Sequence, residues 1–243
     1  MKKLIAGNWK MNLGRNDAGN LARNLAEKAA QANDKYELIL CPPSVWLTDV
    51  ADAIKGSAVK LGAQDVHEQD KGAFTGNLSA NMLKEAGAAY ALIGHSERRQ
   101  YHREDNVLIK SKAENAIKNG LIPIICVGEV EEDRNAGRQN EVVGQQIAES
   151  LPASGEFVVA YEPVWAIGTG KTATPEDVRA MHAFIRSALA KAVDRAEQVA
   201  ILYGGSVKAA NAPEILATPN VDGVLVGGAS LDEKEFWAIA QAA

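Results

Sequence analysis

The sequence predicts a closed parallel (β/α)8 barrel, with residues 1–243 forming a single domain. Eight short apolar runs recur along the chain: Leu4–Ala6, Leu38–Cys41, Val59–Ala63, Ala89–Ile93, Ile122–Val127, Phe157–Tyr161, Val199–Tyr203 and Gly223–Val226. Several are near-continuous and rich in β-branched residues, as strands buried on both faces must be. The intervening segments are long enough for a crossover helix. Eight strand–helix units in 243 residues suit a closed barrel better than an open doubly wound sheet. No Ser/Gly linker or shift in composition marks a second domain.

The helices announce themselves by period and by their starts. Ala18, Leu21, Ala22, Leu25, Ala26 and Ala29 make one apolar stripe. Val178, Met181, Ile185, Ala188, Leu189 and Ala192 make another. Thr174-Pro175-Glu176-Asp177 reads as a helix start, with a capping residue, proline in the first turn and acid behind it. Ser230-Leu231-Asp232-Glu233 reads as a second capping box.

Composition bounds the class. Hydrophobic residues at 47% supply a sizeable core, and a formal charge of −5 argues against a nucleic-acid partner. Cys41 and Cys126 stand alone in apolar runs, which suits buried thiols in a reducing compartment. The basic start has no long apolar stretch behind it, and no window approaches a membrane span. A cytoplasmic location, with no membrane partner, is the expectation.

In a barrel of this kind the chemistry sits where strands end and loops begin. The first run ends in Gly7-Asn8-Trp9-Lys10, and alternation along a strand sends Asn8 and Lys10 to one side. An amide and a cation there suit an anionic, oxygen-rich ligand; an exposed surface lysine is the plainer reading. The fourth run ends in Gly94-His95-Ser96-Glu97, with a short charged helix to follow. The positive pole of that helix disfavours imidazolium, and a neutral ring can still donate an N–H or shuttle a proton. A purely structural histidine is the alternative. Glu97 is placed to anchor Lys10, while Arg98 and Arg99 read as braces for neighbouring loops.

The sixth run ends in Tyr161-Glu162-Pro163. Proline biases the residue before it towards extended geometry, so a single carboxylate is held at a strand terminus. Val164-Trp165-Ala166-Ile167 then lies between Pro163 and Gly168-Thr169-Gly170, the build of a lid that swings as one piece and sheds water on closing. A strand end and an ordinary loop would read the same way. The last two runs close on Gly204-Gly205-Ser206 and Gly227-Gly228, where bare backbone N–H groups can cradle an anion. Loops after the seventh and eighth strands are a frequent phosphate site in barrels, although tight turns also use glycine.

Other motifs fail on context. Gly168-Thr169-Gly170-Lys171-Thr172-Ala173 fits a loose dinucleotide fingerprint but does not follow a strand directly, and a P-loop would need glycine at Trp165. His67, His102 and His182 lack metal-ligand spacing, and no metal is expected. His95-Ser96-Glu97 cannot form a hydrolase triad, since consecutive residues cannot stack in line.

Five motifs together identify a resemblance to the triosephosphate isomerases: Gly7–Asn12, Gly94–Arg99, Ala160–Gly170, Tyr203–Val207 and Val226–Leu231. The resemblance covers essentially the whole chain. It implies an aldose–ketose isomerase, an intramolecular oxidoreductase that interconverts dihydroxyacetone phosphate and D-glyceraldehyde 3-phosphate in glycolysis and gluconeogenesis without a cofactor. It also implies Glu162 as base, His95 as electrophile, Asn8 and Lys10 on the substrate, and Gly168, Ser206, Gly227 and Gly228 around the phosphate. Family members pair by inserting the loop that corresponds to Lys71–Asn77 into a partner, so a homodimer is expected. Two departures stand out: Tyr101 where phenylalanine is usual, and Gly128-Glu129-Val130-Glu131 after the fifth run. Another phosphosugar barrel, an epimerase or an indole-glycerol phosphate synthase, would lack Asn8, Lys10 and His95 as a set. A non-catalytic scaffold would have lost Glu162 or His95.

Overall fold

The computed structural model describes residues 2–30, 35–168 and 171–243. Eight parallel strands follow the predicted runs: β1 Lys3–Asn8, β2 Tyr36–Cys41, β3 Lys60–Ala63, β4 Ala88–Ile93, β5 Ile122–Val127, β6 Val158–Tyr161, β7 Ile201–Tyr203 and β8 Gly223–Val226. Each pairs with the next in sequence order, and β8 returns to β1 with Leu4 opposite Gly223, closing the barrel. The helices between them are α1 Arg15–Ala29, α2 Leu47–Ala53, α3 Ala80–Glu85, α4 Ser96–Tyr101, α5 Asn106–Lys118, α6 Glu131–Asn135, α7 Gln139–Ser150, α8 Pro175–Ala192, α9 Ala212–Ala217 and α10 Glu233–Gln241.

Strand alternation divides the core in two. Ala6, Ile39, Leu92, Ile124, Cys126, Ala160 and Leu202 turn inward and fill the barrel. Their neighbours Ile5, Leu40, Ile93, Ile125, Val159 and Ile201 turn outward and meet the helices. That double burial is why the strands read as unbroken apolar runs. Both predicted stripes face this outer layer: Ala18, Leu21, Ala22, Leu25 and Ala26 on α1, and Val178, Met181, Ile185 and Leu189 on α8, are buried.

The helix starts divide. Thr174 caps α8 as expected, its Oγ1 accepting from the Asp177 N–H while Asp177 returns a bond to the Thr174 N–H. At the other site the expectation is corrected. Asp232 caps α10 by accepting from the Glu235 N–H, and Ser230 instead donates to the Gly227 carbonyl at 2.6 Å. A short 3-10 turn over Gly228–Leu231 draws Ser230 back towards the strand end and away from the helix.

His182 of α8 is fully buried, with Nδ1 2.9 Å from the Asn220 carbonyl oxygen. Burial pushes its imidazole down to about 4, against the upward pull of that carbonyl and of Asp222. The unfolded chain therefore takes up a proton near pH 6.5 that the folded chain refuses until about 4. Stability from this group is whole above pH 6.5 and falls as the solution is acidified, by roughly 2 kcal/mol between pH 7 and 5. Urea unfolding at the two pH values measures it. A His182→Gln variant, which keeps a donor for Asn220 but cannot titrate, is expected to show a flatter slope; an equal slope would assign the loss to other groups.

Candidate active site

The site is assembled from strand ends. Gly94, at φ +67°, turns the chain out of β4 and leaves His95 capping α4. The Glu97 N–H donates to His95 Nδ1 at 3.2 Å, so the proton of the neutral ring belongs on Nε2. Nε2 lies 2.9 Å from Glu162 Oε1. Glu162, held at the end of β6 by its N–H bond to the Val127 carbonyl, is 2% exposed.

The carboxylate is fully occupied. Oε2 accepts from the Ser96 N–H at 2.9 Å, and Oε1 from Ser96 Oγ at 3.2 Å as well as from His95. Burial raises the Glu162 pKa, but His95 and the Ser96 bonds outweigh it, and the group stays below the usual carboxylate range. The His95 pKa is lowered by burial and raised by more through the adjacent Glu162. The expectation of a neutral ring thus rests on one opposing feature: the Glu97 N–H aimed at Nδ1 leaves no room for a second proton.

Lys10 reaches the site by a different route from the one alternation suggests. The strand ends at Asn8, and Lys10 adopts a left-handed backbone at φ +52°. Two bonds hold this uncommon turn: the Lys10 N–H donates to Asn8 Oδ1 at 3.0 Å, and Gln64 Nε2 donates to the Lys10 carbonyl at 2.9 Å. Its ammonium pairs with Glu97 Oε1 at 2.5 Å, as expected. The Asn8 side chain is thereby tied to the Lys10 backbone while lining the same cavity.

Asn8, Lys10, His95, Glu162, Gly168, Ser206, Gly227 and Gly228 all line one cavity of about 290 Å³. Gly228 has open space where a Cβ would stand, and at Gly227 only the end of Lys10 is near, at 3.6 Å. Both leave backbone facing room for a ligand. Gly204 and Gly205 serve another need. A Cβ on Gly204 would press on the Tyr161 carbonyl and Glu162 Cγ at 3.0 and 3.1 Å, and one on Gly205 would strike Tyr203 and Pro163. For this pair close packing against the base-bearing strand is the reason for glycine. Ser206 Oγ donates to the Ala166 carbonyl at 3.3 Å, linking this loop to the segment after Pro163.

That segment forms a short 3-10 turn, Val164–Ala166. Trp165 Nε1 donates to Glu129 Oε1 at 2.8 Å, and the Arg134 guanidinium lies 4.9 Å from the indole centroid. Of the expected glycine hinge, Gly168 has φ +71°, while Thr169 and Gly170 lie outside the described residues.

Sequence reasoning missed three participants. Ser96 stands beside His95, yet its bonds to Glu162 span 66 residues. Glu129, wholly buried, accepts from Trp165 and from Tyr161 Oη at 3.1 Å, and burial raises its pKa despite those bonds. Gly128 abuts the Glu162 peptide, since a Cβ there would lie 1.8 Å from the Glu162 carbonyl oxygen. The one available signal was the departure at Gly128–Glu131. Among the described residues no cluster of His, Cys, Asp and Glu could hold a metal ion.

A buried carboxylate facing an Nε2–H donor, an ammonium and an open glycine cradle can move a proton beside a carbonyl in an anionic substrate. Comparison with known proteins points the same way. The family model described as triosephosphate isomerase matches residues 3–243. The triosephosphate isomerase of Granulibacter bethesdensis is 50% identical over 100% of this chain and 99% of its own length. That of Halorhodospira halophila is 51% identical over 100% and 98%. The crystal structure of the Bartonella henselae triosephosphate isomerase superposes with a TM-score of 0.92 at 39% identity, covering 100% of this chain and 99% of that one.

Proposed function

The chain belongs to the triosephosphate isomerase family, and on that premise we propose how its residues interconvert dihydroxyacetone phosphate and D-glyceraldehyde 3-phosphate. The observation that carries the reading is the 2.9 Å approach of His95 Nε2 to Glu162 Oε1 at the wall of the cavity.

Glu162 is the base. It takes the proton from the carbon next to the carbonyl, and the C–H electron pair becomes the C=C of an enediolate as charge moves to oxygen. His95 Nε2–H and the Lys10 ammonium meet that charge, and Asn8 completes the polar wall. His95 Nε2 gives a proton to the former carbonyl oxygen and takes the hydroxyl proton from the other, while the same carboxylate returns its proton to the neighbouring carbon, so atoms and charge balance without a cofactor. To do this Glu162 exchanges its contacts with Ser96 and His95 for the substrate carbon. Gly227, Gly228, Ser206 and Gly168 receive the phosphate. Closure of Val164–Gly168 excludes water and protects the enediolate from losing phosphate.

In this reading residues 1–243 are one barrel domain, working as a cytoplasmic enzyme of glycolysis and gluconeogenesis and as a homodimer through Lys71–Asn77. No helix among the described residues is long and apolar enough to cross a membrane. An assay that couples D-glyceraldehyde 3-phosphate isomerisation to reduction of the ketone product tests the activity. Turnover without added metal or cofactor is the expected result, and its absence from well-folded protein would overturn the reading.

A further inference from the structure

Glu162 lies between two cavities. The substrate cavity is on one side, and a larger space of about 640 Å³, bounded by Arg99, Gln146, Gly128 and Trp165, is on the other. Ser96 and His95 hold its carboxylate, but those contacts do not fix the backbone that carries it. The backbone it rests on is the end of β5: the Glu162 N–H donates to the Val127 carbonyl at 2.8 Å, and Gly128 abuts the Glu162 carbonyl.

Two side chains grip that end. Gln146 of α7 pairs with Gly128 as a second peptide would, Oε1 accepting from the Gly128 N–H at 2.7 Å and Nε2 donating to the Gly128 carbonyl at 3.0 Å. Arg99 of α4 donates from Nη2 to the Cys126 carbonyl and from Nε to the Gly94 carbonyl, each at 3.0 Å. Gly94 immediately precedes His95. One planar guanidinium therefore sets the distance between the strand ends that carry the electrophile and seat the base. A third bond, from Nη1 to Asn106 Oδ1 at 2.6 Å, orients the fork.

We propose that Arg99 and Gln146 are positioning residues for the isomerisation, a two-point clamp that fixes the seat of Glu162 relative to His95. The inference rests on Glu162 being the base. Arg99 has a second effect through charge. Among the described residues it pairs with no carboxylate within 4.0 Å, and Glu162 is one of the groups whose charge favours the guanidinium. By reciprocity the guanidinium favours the ionised base.

Three variants separate these effects: Gln146→Met, Arg99→Lys and Arg99→Met, each checked for fold by circular dichroism. Gln146→Met and Arg99→Lys are expected to lower kcat about 10- to 100-fold with KM nearly unchanged, as displacement of a base by a fraction of an ångström does. In Arg99→Met the acid limb of the kcat/KM profile is expected to move to higher pH, because the cation that favours the carboxylate is gone. Arg99→Lys keeps the charge and should leave that limb in place, an outcome that loss of structure alone would not produce. A folded Gln146→Met or Arg99→Lys with wild-type kcat would overturn the clamp, and an acid limb identical in the two Arg99 variants would overturn the charge effect. Should Arg99→Met fail to fold, Gln146→Met and Arg99→Lys still decide by kcat. A fully active Glu162→Asp would sink the reading beneath; full activity in the clamp variants beside a crippled Glu162→Asp would sink the clamp alone.

Discussion

Glu162→Asp is expected to fold normally and lose about 100-fold in kcat, because a base misplaced by on the order of 1 Å forfeits that much. The shorter side chain draws the carboxylate back by one C–C bond from a position now defined by Ser96 and His95. Substrate bound in the cavity would find the proton acceptor out of reach, while the glycine-lined wall at Gly227 and Gly228, the proposed phosphate site, stays intact. The loss should therefore fall on kcat and leave KM nearly unchanged. Steady-state kinetics beside a thermal melt is the measurement. Near wild-type turnover would remove Glu162 from the role of base, and a loss confined to KM would make it a binding group.

Thr75→Arg is expected to turn a homodimer into a monomer with little activity. Residues 71–77 are all exposed, and Phe74 at their tip is 41% exposed although its ring lies against His67. Gly72 lets that ring sit close, since a Cβ there would be 2.5 Å from it. Of the other large apolar side chains left exposed, Met11 at 95%, Val45, Met82, Tyr101 and Val107 belong to the segments that follow β1 to β4, and Val130 to the one after β5. Apolar exposure concentrated in one half of the barrel marks a surface that something covers. A second copy of the chain is the proposed cover. Burying an unpaired guanidinium there would cost about 3 kcal/mol or more, over 100-fold in Kd. The proposed route to the site is Gln64, just beyond β3, which donates to the Lys10 carbonyl and steadies its left-handed turn. Light scattering and turnover on the same sample test this. A wild-type chain fully active as a monomer at micromolar concentration would end the proposal.

Local pattern made most of the barrel legible. Each strand is buried on both faces within its own few residues, so apolar runs such as Ile122–Val127 read directly as β5. Glu162 was visible because Pro163 restrains it from the next position, and the Thr174 cap because its partner lies three residues on. The chain on its own thus determined the fold class, the strand ends and the side chains placed there, since those depend on interactions over a handful of residues. Only barrel closure decided the rest. The bonds from Ser96 to Glu162, from Trp165 to Glu129 and from Arg99 to Cys126 join residues 27 to 66 positions apart. No spacing rule encodes such pairs. Their geometry is set by the register and curvature of the strands that bring them together, and for that reason the route of Lys10 and the bonds that seat the base came from the tertiary structure alone.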